Sequence, residues 1–194
     1  MDELHEYCAR VLGDRDAAAR VANDARRSGG PERLRGLDYA VRACRIAGEN
    51  RPRPEVPAPA GGQLATAVSA ELSRVAASLP QREQEALALR ELLRLSHKEI
   101  AVVTGIRQSE VAPLLAGARL HLHAELREQV MDTDECPERE RTLRTVTVRQ
   151  DSEPVQAADD DWLIEHLGHC AGCGRAHGAL LEGSVRYRGW RPAT

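Results

Sequence analysis

Phenylalanine is absent from the 194-residue chain, and two Trp and three Tyr make up the rest of its large aromatics. A β-sandwich or barrel leans on aromatic and β-branched side chains, so this poverty argues against an all-β fold. No apolar run approaches the roughly 20 residues that a membrane span requires. The opening segment, MDELHEYCAR, is too acidic and polar for a secretory leader. The chain therefore reads as soluble and cytoplasmic, with no membrane partner. A basic excess is missing as well: 27 Lys and Arg face 30 Asp and Glu, a formal net charge of −3. A protein held on nucleic acid mainly by charge carries the opposite balance. Any DNA binding must then be local or partner-assisted.

What the chain does have is Ala, Leu, Arg and Glu, the residues of helices, and the expected fold class is all-α. Over residues 1–49, Leu4, Tyr7, Cys8 and Val11 recur at helical spacing up to Gly13. Asp14 or Asp16 can cap a second helix, and Leu34, Leu37, Ala40, Val41 and Cys44 form a third stripe. Three short helices bury little surface, so this unit is expected to be marginal alone. Residues 50–62, with four prolines and two final glycines, read as a linker that lets its flanks move. Residues 63–131 form a second helical unit. Residues 132–181 form a third, acidic one, in which 142–158 has no clear period and Val146 and Val148 suggest a brief strand or a loop. Residues 182–194 read as a mobile tail.

Within the second unit, Ser96-His97-Lys98-Glu99 is a capping-box sequence ahead of Ile100-Ala101, and Gly105 stands where a turn is needed. Ile106, Val111 and Leu115 then supply the inward face of a further helix, expected from near Ser109 to about Val130 with interruptions. This is the layout of a helix-turn-helix, whose second helix enters the DNA major groove. Leu79-Pro80, Glu85-Ala86-Leu87, Leu92, Leu95-Ser96, Glu99-Ile100-Ala101, Gly105-Ile106, Val111, Leu115 and Ala118-Arg119 resemble region 4 of extracytoplasmic-function sigma factors of the sigma-70 family. The resemblance implies a four-helix domain that binds a promoter element and RNA polymerase. It makes Arg107, Gln108, Ser109 and Arg119 the candidate DNA-binding residues. Where the family carries outward cations, this chain has Ala112, Leu114 and Gly117, and residues 71–130 hold eight acidic against eight basic side chains. The helix-turn-helix is then either a weak DNA binder, a scaffold, or a protein-binding face around Leu114. Residues 1–49 more distantly resemble a degenerate region 2 of the same family, through Ala9-Arg10, Leu12-Gly13-Asp14, Leu34-Arg35 and Ala40-Val41-Arg42-Ala43. Tyr39 is the sole aromatic near its DNA-melting segment.

Five cysteines in a cytoplasmic-looking chain favour metal or redox chemistry over a disulfide framework. Cys8 and Cys44 lie on apolar stripes and are expected in the core. His166-x-x-x-Cys170-x-x-Cys173 places a His one helical turn before a Cys pair that can share one ion. Tetrahedral zinc needs a fourth ligand, and Cys136 is the remaining cysteine of this unit. His169 or His177 in place of His166, or a metal-free thiol pair, are the alternatives. The spacing, with Trp162-Leu163-Ile164-Glu165 before it, resembles the zinc-binding anti-sigma domain, which implies a module that clasps a sigma factor. No nucleophile-base set, carboxylate pair or phosphate loop stands out, so no catalytic residue is expected. The expected protein is a sigma-like transcription regulator fused to its own zinc-binding anti-sigma-like module. Its partners would be RNA polymerase core or another sigma factor, with or without promoter DNA. An adaptor without DNA binding and a zinc-thiol redox sensor are the competing classes.

Overall fold

A computed structural model describes residues 3–29, 33–49, 64–127 and 136–190. Within them the chain forms ten helices and no strand, in accord with the all-α expectation. The expected linker, 50–62, lies outside the described residues.

The first three helices are α1 (Glu3–Leu12), α2 (Arg15–Gly29) and α3 (Arg33–Glu49), packed on one another. Gly13 ends α1 in the left-handed region, at φ 64°, where a Cβ would be strained. Of the two candidate caps, Asp14 does the work: its Oδ1 accepts from the Ala17 N–H at 2.8 Å. The helix-turn-helix unit comprises α4 (Leu64–Ser78), α5 (Gln81–Glu91), α6 (His97–Thr104) and α7 (Gln108–Arg127). The third unit comprises α8 (Arg139–Gln150), α9 (Ala157–His169) and α10 (Ala171–Gly189).

The first two units share one core rather than holding two. Tyr7, Cys8, Leu37 and Cys44 belong to the same buried cluster as Leu87, Leu89, Ile100, Val111 and Leu115. Arg45 of α3 reaches Glu85 of α5 at 2.7 Å, and the Glu85 carboxylate is fully buried. Whatever residues 50–62 do, in this arrangement the N-terminal helices are not a free module.

Three expectations are corrected by the fold. Residues 142–150 are helix rather than strand or loop: α8 covers 139–150, its Thr142, Thr145, Val146 and Thr147 buried against neighbouring helices, and a turn and loop follow over 151–156. Residues 182–190, expected as tail, are packed structure: α10 continues to Gly189, and Tyr187 and Trp190 enter the main core. Helix α7 runs without interruption to Arg127, with Pro113 inside it. Pro113 lies just beyond the first turn, so it removes a single intrahelical N–H donor.

Candidate metal centre and helix-turn-helix

The capping box is formed as its sequence suggests. The Glu99 N–H donates to Ser96 Oγ, and the Ser96 N–H donates to Glu99 Oε2 at 2.8 Å. Gly105 closes α6 at φ 74°. Together they set the angle at which α7 leaves the turn. Helix α7 is central to the molecule, packed on α4, α5, α6, α8 and α10. Its Val111, Leu115, Ala118 and Leu122 face the main core, while Ala116 joins a second small core with Val146, Leu163 and Leu180.

Arg107, Gln108 and Ser109 are exposed at the start of α7. Arg107 is engaged by Glu110 at 3.0 Å, and that hydrogen bond holds the Glu110 carboxyl at about 2. Arg119 does not lie on a DNA-facing surface in this conformation. It is fully buried, with Nη2 2.6 Å from both Glu91 Oε1 and Asp151 Oδ1. Ala112, expected to face outward, is also buried, and Leu114 is half-buried against the main core. From Val111 to Ala118 the helix carries no polar side chain at all.

The ionic cluster around Arg119 ties the units together. Glu91 accepts from Arg119, from Ser184 Oγ at 2.7 Å and from Arg188 Nε at 2.6 Å. Asp151, at the end of α8, meets Arg119, Arg90 Nε at 3.2 Å and His97 Nε2 at 2.8 Å. Burial works against the charge of Asp151, but the His97 hydrogen bond and the Arg119 and Arg90 cations hold its carboxyl at about 2. The next acid, Glu153, accepts the backbone N–H of His97 at 2.8 Å through Oε1. The sequence offered no pattern for this cluster, because Asp151-Ser152-Glu153 sits in an aperiodic stretch. In the structure the two acids flank Ser152, whose φ is 56°.

Cys136, His166, Cys170 and Cys173 converge, their ligand atoms all within 4.8 Å of one another. Cys136 precedes α8, His166 sits in the last turn of α9, and Cys170 is the residue between α9 and α10. The break at Cys170, with extended backbone at φ −108° and ψ 97°, turns the chain so that both thiols of the pair face His166. Cys136 Sγ and His166 Nε2 are 3.5 Å apart. Sulfur at about 2.3 Å and nitrogen at about 2.05 Å from a tetrahedral ion would stand about 3.6 Å apart. Trp162 stacks on His166 with ring centroids 5.1 Å apart, and Arg141 covers the Trp162 ring at 3.8 Å. These contacts fix the imidazole plane. The Cys173 backbone N–H, at the start of α10, draws the Cys170 thiol below its ordinary value, while burial pushes Cys173 up to about 11. His169 is exposed, and neither it nor His177 belongs to the group. Cys8 and Cys44 are buried in the main core. No helix among the described residues is long and apolar enough to cross a membrane.

Comparison with known proteins agrees with the helix-turn-helix geometry. Residues 69–122 match the family model for Sigma-70, region 4. The match covers 54 of the 194 residues, most of α4 through most of α7, and makes that segment similar to region 4 of sigma-factor-like transcription regulators. No curated protein and no solved structure matches the chain.

Proposed function

We propose that the chain is a transcription regulator of the sigma-factor class that carries its own zinc-binding, anti-sigma-like module. It acts at initiation through RNA polymerase core or another sigma factor, and through promoter DNA. What carries the reading is the seating of α10 on α7. A Cβ built on Gly183 would stand 2.5 Å from the Arg119 carbonyl oxygen, so glycine alone lets the two helices approach this closely. The third unit thus covers one face of the helix that a helix-turn-helix presents to DNA. Cys136, His166, Cys170 and Cys173 would hold the zinc, three thiolates and one imidazole being a structural donor set with no open position for catalysis. When bound, the ion fixes the start of α10 relative to α8 and α9. A second reading, a protein-binding adaptor, is favoured by the buried Ala112 and Ala116 and the apolar run through Ala118. In it the helix-turn-helix is scaffold only.

Two measurements test the proposal. Elemental analysis of protein purified without added metal should give about one zinc per chain. Less than a tenth of that with the fold intact would remove the metal module. Capture of RNA polymerase core or a sigma factor by the tagged full chain supports the regulator. Capture of neither defeats it.

A further inference from the structure

The contacts between the 151–153 turn and the helix-turn-helix have a chemistry of their own. In a helix-turn-helix the first helix crosses the DNA backbone, and helix N-termini and arginines are what hold phosphates there. Here the first helix is α6, and its start is occupied from within the chain. Glu153 Oε1 accepts the His97 N–H at 2.8 Å. Asp151 Oδ2 sits 2.8 Å from His97 Nε2, and Asp151 Oδ1 sits 3.2 Å from Arg90 Nε. Arg90 Nη2 also donates to the Asp151 carbonyl oxygen. Two carboxylates, two residues apart on one turn, therefore take up a helix N-terminus, an imidazole and a guanidinium. Each of those groups is a phosphate-binding group. Both acids belong to the segment that joins α8 to α9, the unit that carries the candidate metal ligands.

We infer that Asp151 and Glu153 are internal surrogates for DNA phosphates. The surface beneath them, formed by Arg90, the His97 imidazole and the first N–H groups of α6, is a seat for the sugar-phosphate backbone of duplex DNA. The seat is vacated when α8 to α10 move off the helix-turn-helix. This inference rests on the reading of the chain as a sigma-like regulator and adds to it the place where DNA is excluded. With Arg90 and His97 taken up by these two acids, the closed chain offers DNA little counterion release at this place.

The test uses the full metal-loaded chain and a 30-bp duplex of arbitrary sequence, read by fluorescence anisotropy at several salt concentrations. The parent should bind no better than about 10⁻⁴ to 10⁻⁶ M at physiological salt, the non-specific range. Glu153→Gln keeps an acceptor for the His97 N–H and removes the charge. Glu153→Gln combined with Asp151→Asn removes both charges. Binding should tighten from parent to single to double variant, by about tenfold or more in total. The salt dependence should steepen, since each phosphate newly engaged contributes a slope of about −0.9. Arg90→Gln added to the single variant should reverse the gain. If the double variant does not fold, the single variant and its Arg90→Gln partner carry the test. Affinity within twofold of the parent in the folded single and double variants, at 50 mM salt, would overturn the inference. So would a gain that persists unchanged after Arg90→Gln. Polymerase or sigma-factor capture by the same variants is scored separately. Retained capture with no gain in DNA affinity defeats the phosphate seat alone, while lost capture in every variant and in the parent defeats the regulator itself.

Discussion

Asp151 is the residue on which three helices of the helix-turn-helix unit meet the third unit. It lies on the third unit and bonds to α5 through Arg90, to α6 through His97 and to α7 through Arg119. Its carboxyl is held at about 2, below the ordinary value of 3.8. A depressed carboxylate contributes stability that is fully present above its unfolded pKa and is lost as pH falls through the folded one. The window here runs from about pH 4 down to about pH 2, and the contribution is about 2 kcal/mol. Asp151→Asn should cost more than this at neutral pH, about 3–5 kcal/mol, because the buried Arg119 loses half its compensation. Urea unfolding of parent and variant between pH 7 and pH 2.5 checks both statements. The stability gap between them should be constant above about pH 4 and shrink below it. A gap that does not change with pH would mean that Asp151 is not the charged partner of Arg119. The same residue marks what sequence could not reveal. Arg119 was readable as a basic position on a recognition helix, but its two carboxylate partners lie 28 and 32 residues away. No local pattern encodes that pairing.

Helix α10 joins features that lie far apart in the chain. Its first turn carries Cys173, its middle places Gly183 and Ser184 against α7 and α5, and its end is gripped by α1. Arg10 donates to the Tyr187 carbonyl oxygen at 2.7 Å and to that of Trp190. The guanidinium also lies 5.3 Å and 5.1 Å from the two ring centroids. A cation on the last carbonyls of a helix also complements its dipole. At about 1.5 Å per residue the helix spans about 28 Å, enough to connect the metal site with the N-terminal unit. Gly183→Ala tests the closest point of this strap. Its Cβ would meet backbone, which cannot swing away as a side chain can. A loss of about 1–3 kcal/mol is expected, read in calorimetry as a lower Tm by several degrees. An unchanged Tm would show that α10 and α7 are not in contact at this position.

Elements were legible in proportion to how local their signals are. Helix α6 could be read outright, since Ser96, Glu99 and Gly105 form its caps within ten residues. Helix α8 could not. Thr142, Thr145, Val146, Thr147 and Val148 are β-branched and weak helix formers, and their burial on other helices decides the matter instead. The end of α10 was hidden for a similar reason, because Tyr187 and Trp190 find their partner at Arg10, about 180 positions away. The candidate metal ligands were legible because their spacing is short-range and chemically specific. Cys136 was found only by elimination within its unit.

At the scale of the whole molecule, the N-terminal helices and the helix-turn-helix share a core, and the third unit lies over α7 and reaches back to α1. The second core that seats it is small: Ala116, Val146, Leu163 and Leu180, with a few partly buried neighbours. A unit with so little apolar interior depends on added constraints, and a structural metal is one of the commonest. The proposed zinc would fix α9 and α10 at the point from which α10 departs across the molecule. Removing it should loosen α8 to α10 and uncover α7, while the main core keeps the remaining helices folded.

Hydrogen exchange read by mass spectrometry over residues 108–123, on the full chain with zinc bound and after its complete removal by chelation, tests this most directly. The account predicts faster exchange in α7 and in residues 178–187 once the metal is gone, with α1 to α3 little changed. Unchanged protection of α7 after complete metal loss would contradict it. The metal would then be a purely local fastener, with no hold on the helix-turn-helix.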